Sequence, residues 1–75
     1  MNEDDYIGRR MRHRRWEQGM SQTELADSVL IEPHDIQLFE SGVRSVPRLL
    51  LIKIAAVQDV PVSYYTDGIE DAPAE

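Results

Sequence analysis

The sequence predicts an all-α domain of five short helices, and three observations carry that prediction. Apolar residues recur at helical spacing with no alternating strand pattern; helix starts and stops are marked by a capping box, prolines and glycines; and 75 residues leave room for one small core. A chain of this length buries only about 60% of its unfolded surface, so its stability must come from a single compact bundle. The 41% hydrophobic content suits such a bundle.

The elements follow in order. Met1 to Asp5 is polar and acidic and is expected to be a flexible N-terminus, although Asp4 and Asp5 suit the positive end of a nearby helix. A first helix is predicted from about Asp5 to Gln18, with Ile7 and Met11 forming an apolar stripe and Gly19 supplying the stop. Ser21-Gln22-Thr23-Glu24 is a capping box that starts a second helix of about eight residues, with Leu25, Ala26 and Val29 inward. Pro33 is tolerated only in the first turn of a helix, so a tight turn must precede a third helix with Ile36 and Phe39 inward and Gly42 just past its end. A fourth helix runs from about Pro47 to Val57 over Leu51, Ile52, Ile54 and Ala55. A brief fifth turn follows from Pro61 to Tyr65. The domain is therefore expected over residues 6–66, and residues 67–75, rich in acidic residues with Gly68 and Pro73, read as a disordered acidic tail.

Charge narrows the function. Fourteen acidic residues against eight basic ones give a net charge of −6, which points away from polyanions. Arg9, Arg10, Arg12, Arg14 and Arg15 crowd one early segment, and no further Lys or Arg occurs before Arg44. Between them Glu17, Glu24, Asp27, Glu32, Asp35 and Glu40 stand without any basic residue. Cysteine is absent, which excludes disulfides and thiolate metal sites, and no apolar run is long enough for a membrane span or a signal sequence. A cytoplasmic location is the default. His13 and His34 lack partners at metal-ligand spacing, and no nucleophile, base and phosphate-loop pattern occurs. No metal, no cofactor and no enzymatic activity are expected.

The string Gly19-Met20-Ser21-Gln22-Thr23-Glu24-Leu25-Ala26, followed by Ile36-Gln37-Leu38-Phe39-Glu40-Ser41-Gly42, resembles the Cro/CI (XRE) family of helix-turn-helix regulators. The similarity spans Ile7 to about Tyr65. It implies a five-helix Cro/CI-type domain in which helices 2 and 3 form the DNA-reading unit, and a structural ion pair between Arg15 and Glu40 locking helix 1 to helix 3.

The chain departs from that pattern on the reading helix. Base edges and phosphates are usually met by Gln, Ser, Thr, Lys or Arg there, whereas this chain offers Glu32, Pro33, His34, Asp35, Gln37 and Leu38. Non-specific affinity comes from neutralising phosphates, and this stretch carries no cation to do so. Leu30 stands where the turn usually has Gly, Leu38 where a solvent- or phosphate-facing residue is expected, and Leu49 and Leu50 on the predicted outer side of helix 4. The bland reading of Leu49 and Leu50 is that they are core.

Apolar groups beside an acidic surface fit a protein contact. The candidate protein-binding residues are Leu30, Glu32, His34, Asp35, Gln37, Leu38, Leu49 and Leu50. The resemblance to non-DNA-binding members of the family implies an antiactivator that sequesters a transcriptional activator in quorum sensing or mobile-element transfer, with no membrane partner. Two alternatives stay open: a DNA-binding repressor using Gln22, Gln37 and Arg44, and the antitoxin of a toxin–antitoxin pair. Oligomeric state has no signal in the sequence.

Overall fold

The structure, a computed structural model, describes the backbone of residues 2–70 and the side chains of residues 2–67. Five helices follow in order: α1 Glu3–Glu17, α2 Gln22–Ser28, α3 Pro33–Glu40, α4 Arg48–Val57 and α5 Ser63–Glu70, with no strand among the described residues. α1 packs against α3 and α5, α2 packs against α3, and α4 leans on α2. Ile7, Met11, Leu25, Ala26, Val29, Ile36, Phe39, Leu51, Ile54, Ala55 and Tyr65 form one buried core. None of these helices is long and apolar enough to cross a membrane.

Four helices end in the same way. At the C-terminus of α1 the Met20 N–H donates to the Arg15 carbonyl at 3.0 Å; the matching bonds are Ile31 to Ala26 (3.0 Å), Val43 to Leu38 (3.1 Å) and Val60 to Ala55 (3.0 Å). This six-to-one closure forces the residue before each donor into the left-handed region. Those residues are Gly19, Leu30, Gly42 and Asp59, with φ of 65°, 61°, 79° and 59°. Glycine carries no penalty there and Asp is tolerated, but a leucine costs about 1–2 kcal/mol.

Several expectations are corrected. Residues 3–5 are not a flexible end. They form the first turn of α1, because Asn2 caps the helix, its Oδ1 accepting from the Asp5 N–H at 2.8 Å, and because Glu3, Asp4 and Asp5 face the positive helix end. The fifth element is not a brief turn ending at Tyr65. Docking of Tyr65 into the core gives it tertiary support, and the helix continues through Thr66 and Asp67 to Glu70. Helix therefore occupies the first part of the stretch read as acidic tail, while residues 71–75 lie outside the described residues. Ile52, expected on the inward face of α4, is exposed.

The arginine run is divided among neighbouring elements. The Arg10 Nε donates to the Tyr64 carbonyl at 2.8 Å, and its guanidinium lies 4.0 Å from the Tyr64 ring centre. One turn on, the Arg14 Nε donates at 2.8 Å to the carbonyl of Gln58, the residue that caps α4. The Gln58 carbonyl, at the C-terminal end of α4, lacks an intrahelical donor and carries partial negative charge, so the Arg14 cation satisfies both demands. Arg12 lies over Trp16. Two of the five arginines thus tie α1 to the C-terminal third of the chain.

Candidate regulatory surface

The turn between α2 and α3 and the exposed side of α3 are positioned by a buried polar cluster. Arg15 grips Glu40 with two parallel bonds, Nε to Oε2 at 2.7 Å and Nη2 to Oε1 at 3.0 Å, and donates a third from Nη1 to the Met20 carbonyl at 3.0 Å. Both residues are buried, at 7% and 4% exposure. Gln22, the first residue of α2, donates from Nε2 to the same Glu40 Oε1 at 3.0 Å. Three helices therefore meet on one carboxylate, α1, α2 and α3, and Arg15 ties in the loop after α1 through the Met20 carbonyl. Gly8 allows the approach, since a methyl group there would run into the Phe39 and Glu40 carbonyls.

Asp35 is equally occupied. Its Oδ2 accepts from the Glu32 N–H at 3.3 Å, capping the start of α3, and its Oδ1 accepts from Arg44 Nη1 at 2.8 Å. The acidity of the segment thus has a largely architectural origin. Glu17 meets His13 and Arg14, Glu24 completes the Ser21 capping box, Asp35 caps α3, and Glu40 receives Arg15. Asp27 and Glu32 are left exposed at the ends of α2 and α3.

The sequence-predicted residues fall into separate groups. Leu30, Glu32, His34 and Gln37 are exposed on the turn and α3, and Leu30 is the extreme case at 91%. Leu38 is half-buried rather than an open apolar group, and residues 41–44 fold back on its backbone: the Val43 and Arg44 N–H groups and the Ser41 hydroxyl all donate to its carbonyl. Leu50 is half-buried against the core rather than standing on the outer side of α4. Leu49 is 75% exposed but stands on α4, which packs against α2 rather than alongside α3. The alternative DNA-contacting set is compromised at two of its three positions, with Gln22 bound to Glu40 and Arg44 to Asp35; only the exposed Gln37 side chain makes no hydrogen bond among the described residues.

Sequence reasoning passed over Gly8 and Gln58. Gln58 is fully buried between α1 and α5, where its Nε2 donates to the Met11 carbonyl at 3.0 Å and its Oε1 accepts from the Tyr65 hydroxyl. Burial pushes the Tyr65 phenol well above the ordinary tyrosine range. No local sequence signal marks either residue. Two open clefts, one of about 320 Å³ lined by Asp5, Arg9, Arg12, Glu40 and Ser41 and one of about 400 Å³ between the end of α1 and α2, have mainly charged and polar linings. Among the described residues no group of three or more His, Cys, Asp or Glu is arranged to hold a metal ion.

The meeting of three helices at Glu40 and the short α2–turn–α3 unit that it locks are decisive for the fold. The chain is a helix-turn-helix domain. It is 39% identical over 72 residues to uncharacterised HTH-type transcriptional regulators of Sinorhizobium medicae (strain WSM419) and Rhizobium meliloti (strain 1021), covering 96% of this chain and 50% of theirs. A regulator of the same description from Sinorhizobium fredii is 34% identical over 68 residues, 91% of this chain and 48% of its own. The chain thus spans about half the length of the curated relatives it matches. No protein-family model matches it. Its fold superposes on the clp gene regulator ClgR of Corynebacterium glutamicum with a TM-score of 0.84 at 19% identity, over 93% of this chain and 79% of that one.

Proposed function

We propose that this helix-turn-helix domain regulates transcription through a protein contact made by the α2–α3 turn and the exposed side of α3, acting as an antiactivator that occupies a transcriptional activator. The observation that carries this reading is Leu30. A leucine held 91% exposed in a left-handed conformation contributes nothing to the core and strains the backbone, at a turn where glycine would relieve the strain. Its neighbours Glu32, His34 and Gln37 are polar and exposed. An apolar knob ringed by polar groups suits the desolvated centre and wet rim of a protein interface.

Arg44 and Gln22 support the reading from the other side. Each would have to abandon a carboxylate before meeting DNA, and breaking the Asp35–Arg44 pair would leave a bare carboxylate near the phosphates. Leu30→Gly separates function from folding: binding to the activator is lost while the domain becomes more stable. The test uses gel shifts at low salt on DNA from the gene's own locus, beside pull-down of the purified activator encoded nearby. Saturable DNA binding that weakens steeply with added salt, and that survives Leu30→Gly, would show the domain to be a DNA reader. That second reading, a DNA-binding repressor, is favoured by the description of the relatives as HTH-type transcriptional regulators.

A further inference from the structure

The outer face of α4 carries a second surface of opposite charge. With about 100° between successive residues of a helix, the exposed residues Arg48, Leu49, Ile52, Lys53 and Ala56 fall in a fixed order around the axis: Arg48, Ile52, Ala56, Leu49, Lys53. The buried residues Leu51, Ile54 and Ala55 occupy the other side. An apolar seam of Ile52, Ala56 and Leu49 is therefore edged by one cation on each flank. Leu49 is 75% and Ile52 44% exposed, and no acidic residue occurs in the helix. Neither the Arg48 nor the Lys53 side chain makes an ion pair or hydrogen bond with any described residue.

An apolar seam flanked by charges of one sign is how a helix selects a partner helix, the seam supplying burial and the flanks setting which partner is accepted. We infer that α4 is a docking surface for an acidic amphipathic helix of a partner protein, with apolar residues on one face and carboxylates on both sides of it. Three occupants are possible in principle, and charge selects among them. A second copy packed α4 to α4 would bring Arg48 and Lys53 of one copy onto those of the other, and like charges repel across a contact. A membrane surface asks for a larger apolar face than three side chains, one of them alanine, and a net charge of −6 opposes anionic lipid. An acidic helix meets both cations and covers the seam.

The surface is separate from the α3 reading and does not depend on it. The test titrates the full chain with a synthetic 14-residue peptide carrying leucines at i, i+3, i+4 and i+7 spacing with glutamates on the flanks. A scrambled peptide of equal composition and a version with lysine for glutamate serve as controls. Amide chemical-shift mapping should place binding on residues 48–56, and affinity by fluorescence anisotropy should exceed that for the scrambled peptide by about tenfold and fall with salt. The double variant Arg48→Glu/Lys53→Glu and the single variant Leu49→Ser should each lose about tenfold in affinity while keeping wild-type circular dichroism and melting, since all three positions are exposed. Equal binding of the acidic and scrambled peptides, tighter binding of the lysine peptide, or shifts centred elsewhere would overturn the inference. So would uptake by anionic vesicles that Leu49→Ser abolishes, or a wild-type dimer that the same variant makes monomeric. Leu30 is untouched throughout, so failure here leaves the α3 proposal standing.

Discussion

At the residue scale, single side chains decide more here than composition suggests. Leu30 occupies the position where three other helix ends use Gly19, Gly42 or Asp59, so its strain follows from the shared closure rather than from an isolated accident. Relief of the left-handed penalty, less the extra freedom glycine has when unfolded, predicts that Leu30→Gly stabilises the domain by about 0.5–1 kcal/mol. Thermal melting should show a midpoint raised by a few degrees, and a fall would mean that Leu30 packs in the native state. Gly8→Ala is expected to cost about 2–3 kcal/mol, because the α1–α3 approach has no room for a methyl group. Urea unfolding measures it. The Arg15–Glu40 pair behaves asymmetrically: Arg15→Met alone leaves a buried carboxylate with Gln22 as its remaining partner and should cost about 3–5 kcal/mol. Arg15→Met with Glu40→Leu should recover much of that loss, which a double-mutant cycle by denaturant melts would detect.

At the element scale, helix positions were legible because their signals are local. The Ser21 box, Pro33 and the glycines act on backbone groups within four residues, so the starts of α2 and α3 follow directly from the chain. The two ends were misjudged for different reasons. Asn2 is a cap whose effect exceeds the impression of a polar, acidic terminus, and Ser21→Ala and Asn2→Ala should each cost about 0.5–2 kcal/mol, read by loss of helical signal on heating. α5 has weak local preference but is held by Tyr65 in the core and by the Arg10 contact with Tyr64. On α4 the periodicity indicated an apolar helix without saying which face turns inward; Leu50 and Ile52 were exchanged for that reason.

At the scale of the whole molecule, a buried polar relay joins the bundle's ends. Gln58 on the α4 cap bonds the α1 backbone and Tyr65 of α5, so ionising that phenol would place a charge inside the core. Its folded-state pKa is raised, mainly by burial, so the associated stability is fully present below the ordinary tyrosine value of about 10 and declines as pH climbs above it. Melting midpoints should fall over that alkaline range, and Tyr65→Phe should flatten the fall. At neutral pH the same substitution should cost about 1–3 kcal/mol by stranding the Gln58 oxygen.

The amino-acid sequence by itself determined the all-helical class, the tight α2–turn–α3 unit and most of the core, since periodicity, caps and breakers are properties of neighbouring residues. Arg15 and Glu40 were legible through the family resemblance. Only the tertiary structure decided which charges are free. Six carboxylates in a row without a cation looked like a repelling surface, yet four are engaged as caps or ion-pair partners, and Arg44 reaches back nine residues to Asp35. Charge is counted along the chain, but solvation and pairing depend on distances in space, and those are set by how the helices pack.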